Sequence, residues 1–455
     1  MKFFKIILFL FIALFSFNLY AQSHTYDSFF YGSEADDDMK VMDAGDSFAN
    51  KGIQYGLDLN PSIIYQEADD YRLFTCLVNA RVWAKSYLWS DSFLYVRVKD
   101  SFLGVISAAD SYSSVESDNL IDLDLAYIDT RSSAGAVTFA MGRKYFSMGT
   151  GLVLDDRGDG AEFSVNGSLY SLRLLGMYTG LLLKDNNPYG FSDRDTADGA
   201  KRVFAGGTAS FHYLNHEFYL LGLVEVDLSE QDKAQRTKYN AQYYGAGATG
   251  VFKENFSYYA EFIYQMGSGY DAANEKTSIS AFAVNSGLDW FIPVALNPVI
   301  MLQYAFGSGD EKRSNYATSN LQGVDADDSG FIYFGSFNGG YAFRPRLGNM
   351  HVISAGASCV PFANSSSARL KKMSLMAKYI YYMKDVTSAG VTGVNESGGG
   401  LDEAFLGQGI DAALRWEIYY DLSFYINYGV FFPGSAYSSD TGETQFAMAG
   451  VNLSF

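Results

Sequence analysis

The stretch Gly409 to Phe455, GIDAALRWEIYYDLSFYINYGVFFPGSAYSSDTGETQFAMAGVNLSF, decides the fold. Taken two residues at a time, Ile410, Ala412, Leu414, Trp416, Ile418 and Tyr420 share one face, and Asp411, Ala413, Arg415, Glu417 and Tyr419 share the other. Asp421 turns the chain, and Leu422, Phe424, Ile426, Tyr428, Val430 and Phe432 repeat the apolar face. After a Pro-Gly-Ser loop, Gln445, Ala447, Ala449, Val451, Leu453 and Phe455 alternate with Gly450, Asn452 and Ser454. Strict alternation over about ten residues is a β-strand with one apolar and one wet face.

Three such strands, ending on an aromatic residue, look like the closing strands of a bacterial outer-membrane barrel. The terminal Phe455 resembles the signal read by the barrel-assembly machinery, an expected partner. Composition agrees: Tyr and Phe are abundant, Gly is frequent and Pro scarce, as suits long strands, polar turns and aromatic girdles. Mean hydropathy near neutral is what lipid-facing and lumen-facing residues give when they cancel. Past the N-terminus no run of about twenty apolar residues predicts a spanning helix.

Residues 1–21 read as a secretory signal peptide, with Lys2 and Lys5 before the apolar run Ile6 to Leu19 and cleavage after Ala21. Residues 22–51 read as an acidic periplasmic lead-in and 52–455 as the barrel. Cys76 and Cys359 fall in phase with apolar neighbours and read as two lipid-facing small hydrophobes rather than a disulfide. A net charge of −18 argues against nucleic acid as a partner.

The alternation predicts strands near 52–66, 71–87, 92–104, 120–129, 135–146, 159–164, 169–180, 202–213, 217–228, 238–251, 256–266, 279–290, 298–306, 349–360, 370–382, 409–419, 422–432 and 444–455. Connections after even strands are short, and those after odd strands, such as 147–158, 181–201, 307–348 and 383–408, are mostly long. That rhythm predicts an all-β chain, a single antiparallel transmembrane barrel of about eighteen strands with short periplasmic turns and long extracellular loops. Hydrocarbon forces the sheet to close, and so many strands leave an aqueous lumen unless loops fill it. The loops at 181–201, 307–348 and 383–408 are the candidates to fold inward.

A strand charge costs a few kcal/mol on the lipid face, so charges should point inward. Parity therefore assigns Arg81, Arg97, Lys99, Arg173, Lys372, Lys378 and Arg415 to the lumen, with Asn79 and Lys85. The acids Asp122, Asp124, Glu225, Asp227, Glu261, Asp411 and Glu417 join them. Arg143 shares phase with Val137, Phe139 and Met141, so it faces inward only if a bulge intervenes, as at Gly142. A ring of arginines favours anions, while acids paired across strands merely keep the wall wet.

Three stretches resemble the alginate export family of outer-membrane barrels: Gly142-Arg143-Lys144 running on to Gly149, Gly151 and Asp159-Gly160-Ala161; Phe306-Gly307-Ser308-Gly309-Asp310 with the aromatic segment Phe331 to Phe343; and Leu406 to Asp411 through Tyr428 to Gly434. The resemblance implies an eighteen-stranded barrel and passage of an anionic uronate polymer through an arginine-lined constriction. By motif it carries Arg143 over as a constriction residue. The expectation is an outer-membrane channel for anionic oligosaccharides or small anionic solutes, embedded in outer-membrane lipid. The alternatives are a general or cation-preferring porin and a surface antigen or adhesin, the last because Arg157-Gly158-Asp159 falls in an expected external loop. No catalysis is expected, since His24, His212, His216 and His351 lack a Ser and acid constellation by spacing. No cofactor or metal is expected either. The run Asp155 to Gly160 lacks the remaining ligands of a calcium loop.

Overall fold

The computed structural model describes residues 52–68, 71–89, 91–110, 115–132, 136–181, 189–230, 236–393, 397–398 and 401–455. The expected signal peptide, the acidic lead-in and His24 lie outside the described residues. The chain builds one closed antiparallel barrel of eighteen long strands. In order they are β1 Ile53–Ala68, β2 Tyr71–Trp89, β3 Ser92–Asp110, β4 Asp118–Arg131, β5 Val137–Met148, β6 Leu154–Asn166, β7 Tyr170–Tyr178, β8 Arg202–Tyr213 and β9 His216–Asp227. Then come β10 Asn240–Phe252, β11 Phe256–Tyr270, β12 Lys276–Phe291, β13 Val299–Gly307, β14 Met350–Cys359, β15 Met373–Lys384, β16 Phe405–Tyr419, β17 Leu422–Pro433 and β18 Thr444–Ser454. A six-residue helix, α1 Asp193–Asp198, sits in the loop before β8.

Each strand pairs with its sequence neighbour, and β18 closes on β1 with Leu59 opposite Leu453 and Ile63 opposite Ala449. Phe455 finishes the seam: its N–H donates to the Leu57 carbonyl at 2.9 Å and its carbonyl accepts from the Leu57 N–H at 3.1 Å. Closure leaves no sheet edge, which hydrocarbon requires.

Alternation sorts the side chains. On β9, Phe218, Leu220, Val224 and Val226 are exposed outward, whereas Tyr219, Leu221, Leu223, Glu225 and Asp227 are buried inside. Exposed aromatics gather at two levels. Trp89, Tyr170, Tyr213, Trp290 and Tyr420 mark the short-turn end, and Tyr244, Tyr264, Tyr304, Tyr379 and Tyr428 mark a level nearer the long loops. On β10 the two levels, Phe252 and Tyr244, are eight residues apart. That is about 26 Å along the strand, or about 20 Å along the membrane normal at a tilt of about 40°, so the two levels lie just inside the edges of an apolar band of about 25 Å. At the short-turn end Lys253 and Glu254 both take positive φ, 49° and 62°, as a tight hairpin turn demands.

One hairpin leaves the wall. The β4–β5 ladder ends at Ala126 opposite Arg143, and the β6–β7 ladder ends at Asp159 opposite Tyr178. β5 and β6 go on pairing with each other as far as Met148 opposite Leu154. The tip therefore bonds to neither neighbouring strand, yet Phe146, Met148, Leu152, Val153 and Leu154 are buried. It folds into the lumen. Gly142 sits at the departure with φ +132°, and a Cβ there would lie 2.2 Å from the Ala126 carbonyl oxygen. We expect Gly142→Ala to destabilise the barrel by about 1–3 kcal/mol, read as a lower urea midpoint for loss of the folded form in lipid vesicles.

This hairpin overturns three expectations. The sixth strand is Leu154–Asn166 rather than 159–164, and the loop expected at 147–158 is mostly strand, because its polar residues are matched inside the barrel. Arg157-Gly158-Asp159 is not in an external loop: Arg157 is buried and ion-paired with Asp122 and Asp124. The adhesive reading loses its sequence support. Lys372 also departs from expectation. It ends a single 3-10 turn, Leu370–Lys372, before β15 begins, and is exposed at the short-turn end rather than within the strand.

Candidate functional site

The lumen is built from two walls and two inward segments. On the first wall, β2 and β3 place Arg81, Lys85, Arg97 and Lys99 inward and buried. Arg81 stands directly opposite Lys99. Like charges facing across a ladder repel, and the flanking strands answer with acids: Asp58 on β1 opposes Arg81, and Asp122 on β4 opposes Lys99. A bulge at β4, where Arg97 pairs with Leu125 and Val98 with Leu123, brings Asp124 in as well.

The root of the inward hairpin packs on that wall. Arg143 forms a fork on Asp159, Nε to Oδ1 at 2.9 Å and Nη2 to Oδ2 at 2.7 Å, and donates to the Leu123 carbonyl at 3.1 Å. Arg157 Nη1 donates to Asp122 at 2.8 Å and Asp124 at 2.6 Å. Arg97 is ion-paired with Asp124. Three arginines thus meet three aspartates, and this network fastens the hairpin to the wall. Arg143 does reach the lumen, by the kink at Gly142 rather than by an extra ladder residue, and its guanidinium is committed to Asp159.

The tip of the hairpin crosses to the far side. Thr150 donates its N–H and hydroxyl to the Glu261 carboxylate on β11, at 3.0 and 2.7 Å. Tyr219 on β9 donates to the same carboxylate at 2.7 Å, and Asn285 on β12 donates to the Thr150 hydroxyl at 3.2 Å. Gly149 makes room, since a Cβ there would lie 1.9 Å from Glu261 Oε2.

The connection from β13 to β14 is the second inward segment. It runs along the hairpin tip, the Phe334 and Gly335 N–H groups donating to the Val153 and Leu152 carbonyls, both at 3.2 Å. Farther on, the Tyr341 N–H donates to both Asp411 oxygens at 3.2 Å, and Tyr382 on β15 donates to the Gly339 carbonyl at 2.5 Å. Phe331, Tyr333, Phe334, Phe337 and Phe343 are buried along it. Inside the loop Arg313 forks on Asp328, Nε at 2.9 Å and Nη2 at 2.5 Å.

Near the end of this connection stands Arg346. Its guanidinium carbon lies 5.1 Å from the Phe191 ring centre and 5.9 Å from that of Tyr333. Its backbone N–H donates to the Thr392 carbonyl at 2.8 Å. Three long loops converge on it: the one before β8, the one between β13 and β14, and the one between β15 and β16. Among the described residues no carboxylate lies within ion-pair distance of it. Burial draws its pKa below the ordinary arginine value, yet arginine stays charged at any working pH. Half-buried, stacked and without an acid, it can still accept an anion.

The family comparison agrees with this architecture. The model of the alginate export family matches residues 183–450, more than half of the chain. The chain belongs to the alginate export family. It is an outer-membrane barrel of the channel type. No curated protein matches the sequence. Solved structures similar to this alginate export barrel include OccK2 (OpdF) of Pseudomonas aeruginosa, 12% identical at a TM-score of 0.55, covering 89% of this chain and 98% of that one. OpdK of the same organism, solved with vanillate, is 11% identical at a TM-score of 0.55, covering 88% and 99%. OccK2 in complex with glucuronate gives 11% and 0.53, covering 89% and 98%. At such identities the likeness is one of fold.

Most of the other charged candidates of the alginate export barrel, including Lys372 at the short-turn rim, are matched by acids. Arg173 lies 3.8 Å from Glu162, Lys378 3.7 Å from Asp411, and Lys372 3.5 Å from Glu417. Arg415 is exposed to the lumen toward the short-turn end, with no ion-pair partner among the described residues. Glu225 and Asp227 share Arg202 on β8, at 2.7 and 3.4 Å. Sequence reasoning missed Arg202, Arg313, Arg344 and Arg346, which sit in or beside loops where no period points to them. Cys76 and Cys359 are unbridged. His212 lies 3.0 Å from the Ser171 hydroxyl, and among the described residues no carboxylate bonds to that imidazole.

Proposed function

We propose that this barrel conducts small anionic solutes, carboxylated sugars and short uronates above all. The observation that carries the reading is Arg346: an unmatched guanidinium between two aromatic faces where three loops converge. The fork of an arginine binds a carboxylate in two parallel hydrogen bonds, and flanking rings suit the flat, partly apolar faces of a sugar or aromatic acid. Glucuronate and vanillate, held by similarly folded barrels, are both small carboxylates. We read the barrel as a non-catalytic channel.

A general or cation-preferring porin is the second reading. What favours it is the neutralisation of Arg97, Arg143 and Arg157 by Asp122, Asp124 and Asp159, together with Glu261 on the far wall. The two separate in a planar bilayer under a KCl gradient. The anion reading expects a reversal potential set by chloride and block of the chloride current by millimolar glucuronate. A potassium-set potential untouched by glucuronate would sink it.

A further inference from the structure

The connection between β14 and β15, residues 360–372, is thirteen residues long, the longest at the short-turn end. Its own backbone shapes it. The N–H groups of Ala363, Ser365, Lys371 and Lys372 donate to the carbonyls of Val360, Phe362, Ser367 and Arg369, at 3.1, 2.9, 3.3 and 3.2 Å. It is fastened to the outside of the barrel. Trp416 and Tyr419 of β16 stand opposite Phe424 and Leu422 of β17, in phase with Ile426 and Tyr428, which are exposed outward. The Trp416 indole donates to the Arg369 carbonyl at 3.0 Å, and the Arg369 guanidinium stacks 4.3 Å from the Tyr419 ring centre. Tryptophan and tyrosine on the outer face of a spanning strand end sit at the level of the lipid headgroups, and the connection is anchored on both.

Its last residues are Arg369, Leu370, Lys371 and Lys372, three cations out of four in a chain of net charge −18. All three cations are exposed. Lys372 is matched by Glu417 at 3.5 Å. Among the described residues no carboxylate lies within ion-pair distance of Arg369 or Lys371. Apolar side chains flank them. Phe362 on the same connection is exposed, and so is Leu296 on the β12–β13 turn, whose carbonyl accepts from the Val360 N–H at 2.8 Å.

We infer that Arg369 and Lys371 bind the phosphate of an anionic phospholipid in the leaflet at the short-turn end, with Phe362 and Trp416 beside its acyl chains. A guanidinium lying flat on an aromatic face keeps its N–H edge free, and that edge matches phosphate in two parallel hydrogen bonds. The stack on Tyr419 also fixes the side chain on the lipid side, away from a solute in the lumen. Long cationic stems cover apolar surface while their heads reach the headgroup layer. A cation at an anionic membrane surface contributes about five-fold in affinity, so two predict roughly 25-fold. The site lies on the outer face and holds whichever ion the pore prefers.

The test uses the chain from Gln22 onward in nonionic detergent, offered phosphatidylglycerol and phosphatidylcholine, with native mass spectrometry counting the lipids retained. Phosphatidylglycerol should be kept at roughly 25-fold lower concentration than phosphatidylcholine. R369E with K371E should abolish that preference, and R369Q with K371Q should reduce it. K276E with K312E, the same charge change at the long-loop end, should leave it intact. Urea midpoints in vesicles separate binding from folding. Parent and R369Q/K371Q barrels should share a midpoint in phosphatidylcholine, and added phosphatidylglycerol should raise the parent's alone. Equal retention of the two lipids by the parent overturns the inference, as does a preference that survives R369E with K371E. A barrel that ignores phosphatidylglycerol but holds a soluble uronate oligomer through Arg369 and Lys371 also overturns it, and assigns both cations to the pore mouth.

Discussion

Arg346→Glu is expected to reverse the ion preference of the pore from anions to cations and to abolish block by glucuronate. The change is two charge units at a half-buried point where loops, not bulk water, surround the ion. A unit charge about 4 Å from a permeating ion contributes about 4 kcal/mol at an effective dielectric constant near 20, so the swing outweighs any single residue on the wall. Loss of a charged hydrogen-bonded contact of about 1.5–3 kcal/mol predicts that glucuronate block weakens by roughly 10- to 100-fold even in Arg346→Ala. Arg346→Lys keeps the charge but not the fork or the stacking on Phe191 and Tyr333, so it should retain anion preference and lose much of the block. Arg143→Ala is the contrasting control. Its guanidinium already holds Asp159, so its removal should lower stability more than selectivity. Reversal potentials and block constants for the four variants decide the matter. An unchanged potential in Arg346→Glu would return the constriction to the basic wall of β2 and β3.

The barrel was legible because lipid permits little else. Leu220, Val224 and Val226 must face hydrocarbon, so Tyr219, Leu223 and Glu225 must not, and period two runs along the wall strands between their bulges. Parity fails where a strand stops being wall. Beyond Gly142 the chain is still β-strand, but what had been its outer face now packs on the inner face of β3 and β4, so Arg143 is buried although its phase-mates Phe139 and Met141 face lipid. A trace of this was present: Gly142 opposes Gly160 mid-strand, where a pleated wall has little use for paired glycines. Asp155 to Asp159 read as a solvated loop because the partners of this run lie on other strands: Arg143 on β5 for Asp159, and Asp122 and Asp124 on β4 for Arg157. Arg346 and Arg202 were invisible for a related reason. Loop residues carry no period, and what makes them functional is the company of Phe191, Tyr333 or Asp195, which only the fold assembles.

Arg202→Met should cost about 3–5 kcal/mol of stability, the usual penalty for breaking a fully buried ion pair. Arg202 is fully buried and holds three acids, Asp195 of α1 at 3.0 Å, Glu225 at 2.7 Å and Asp227 at 3.4 Å. It also donates to the carbonyls of Tyr189 at 2.9 Å and Tyr239 at 3.3 Å. Without it three carboxylates remain together with no cation, and like charges that close cannot all stay ionised. The loss should reach the pore. Arg202 stacks 5.6 Å from the Phe191 ring centre, whose ring also stacks with Arg346. Releasing α1 frees one wall of the anion site, and glucuronate block should weaken alongside the drop in the urea midpoint. Two companions separate charge from packing. Arg202→Lys keeps the charge and should lose less than Arg202→Met. Adding Glu225→Gln to Arg202→Met should recover part of the midpoint, because the defect is uncompensated charge. If the double variant is instead less stable than the single one, the role of Arg202 lies in its carbonyl contacts to Tyr189 and Tyr239, with the acids satisfied by the backbone N–H groups of Phe191, Ala241 and Ser229 that already bond to them.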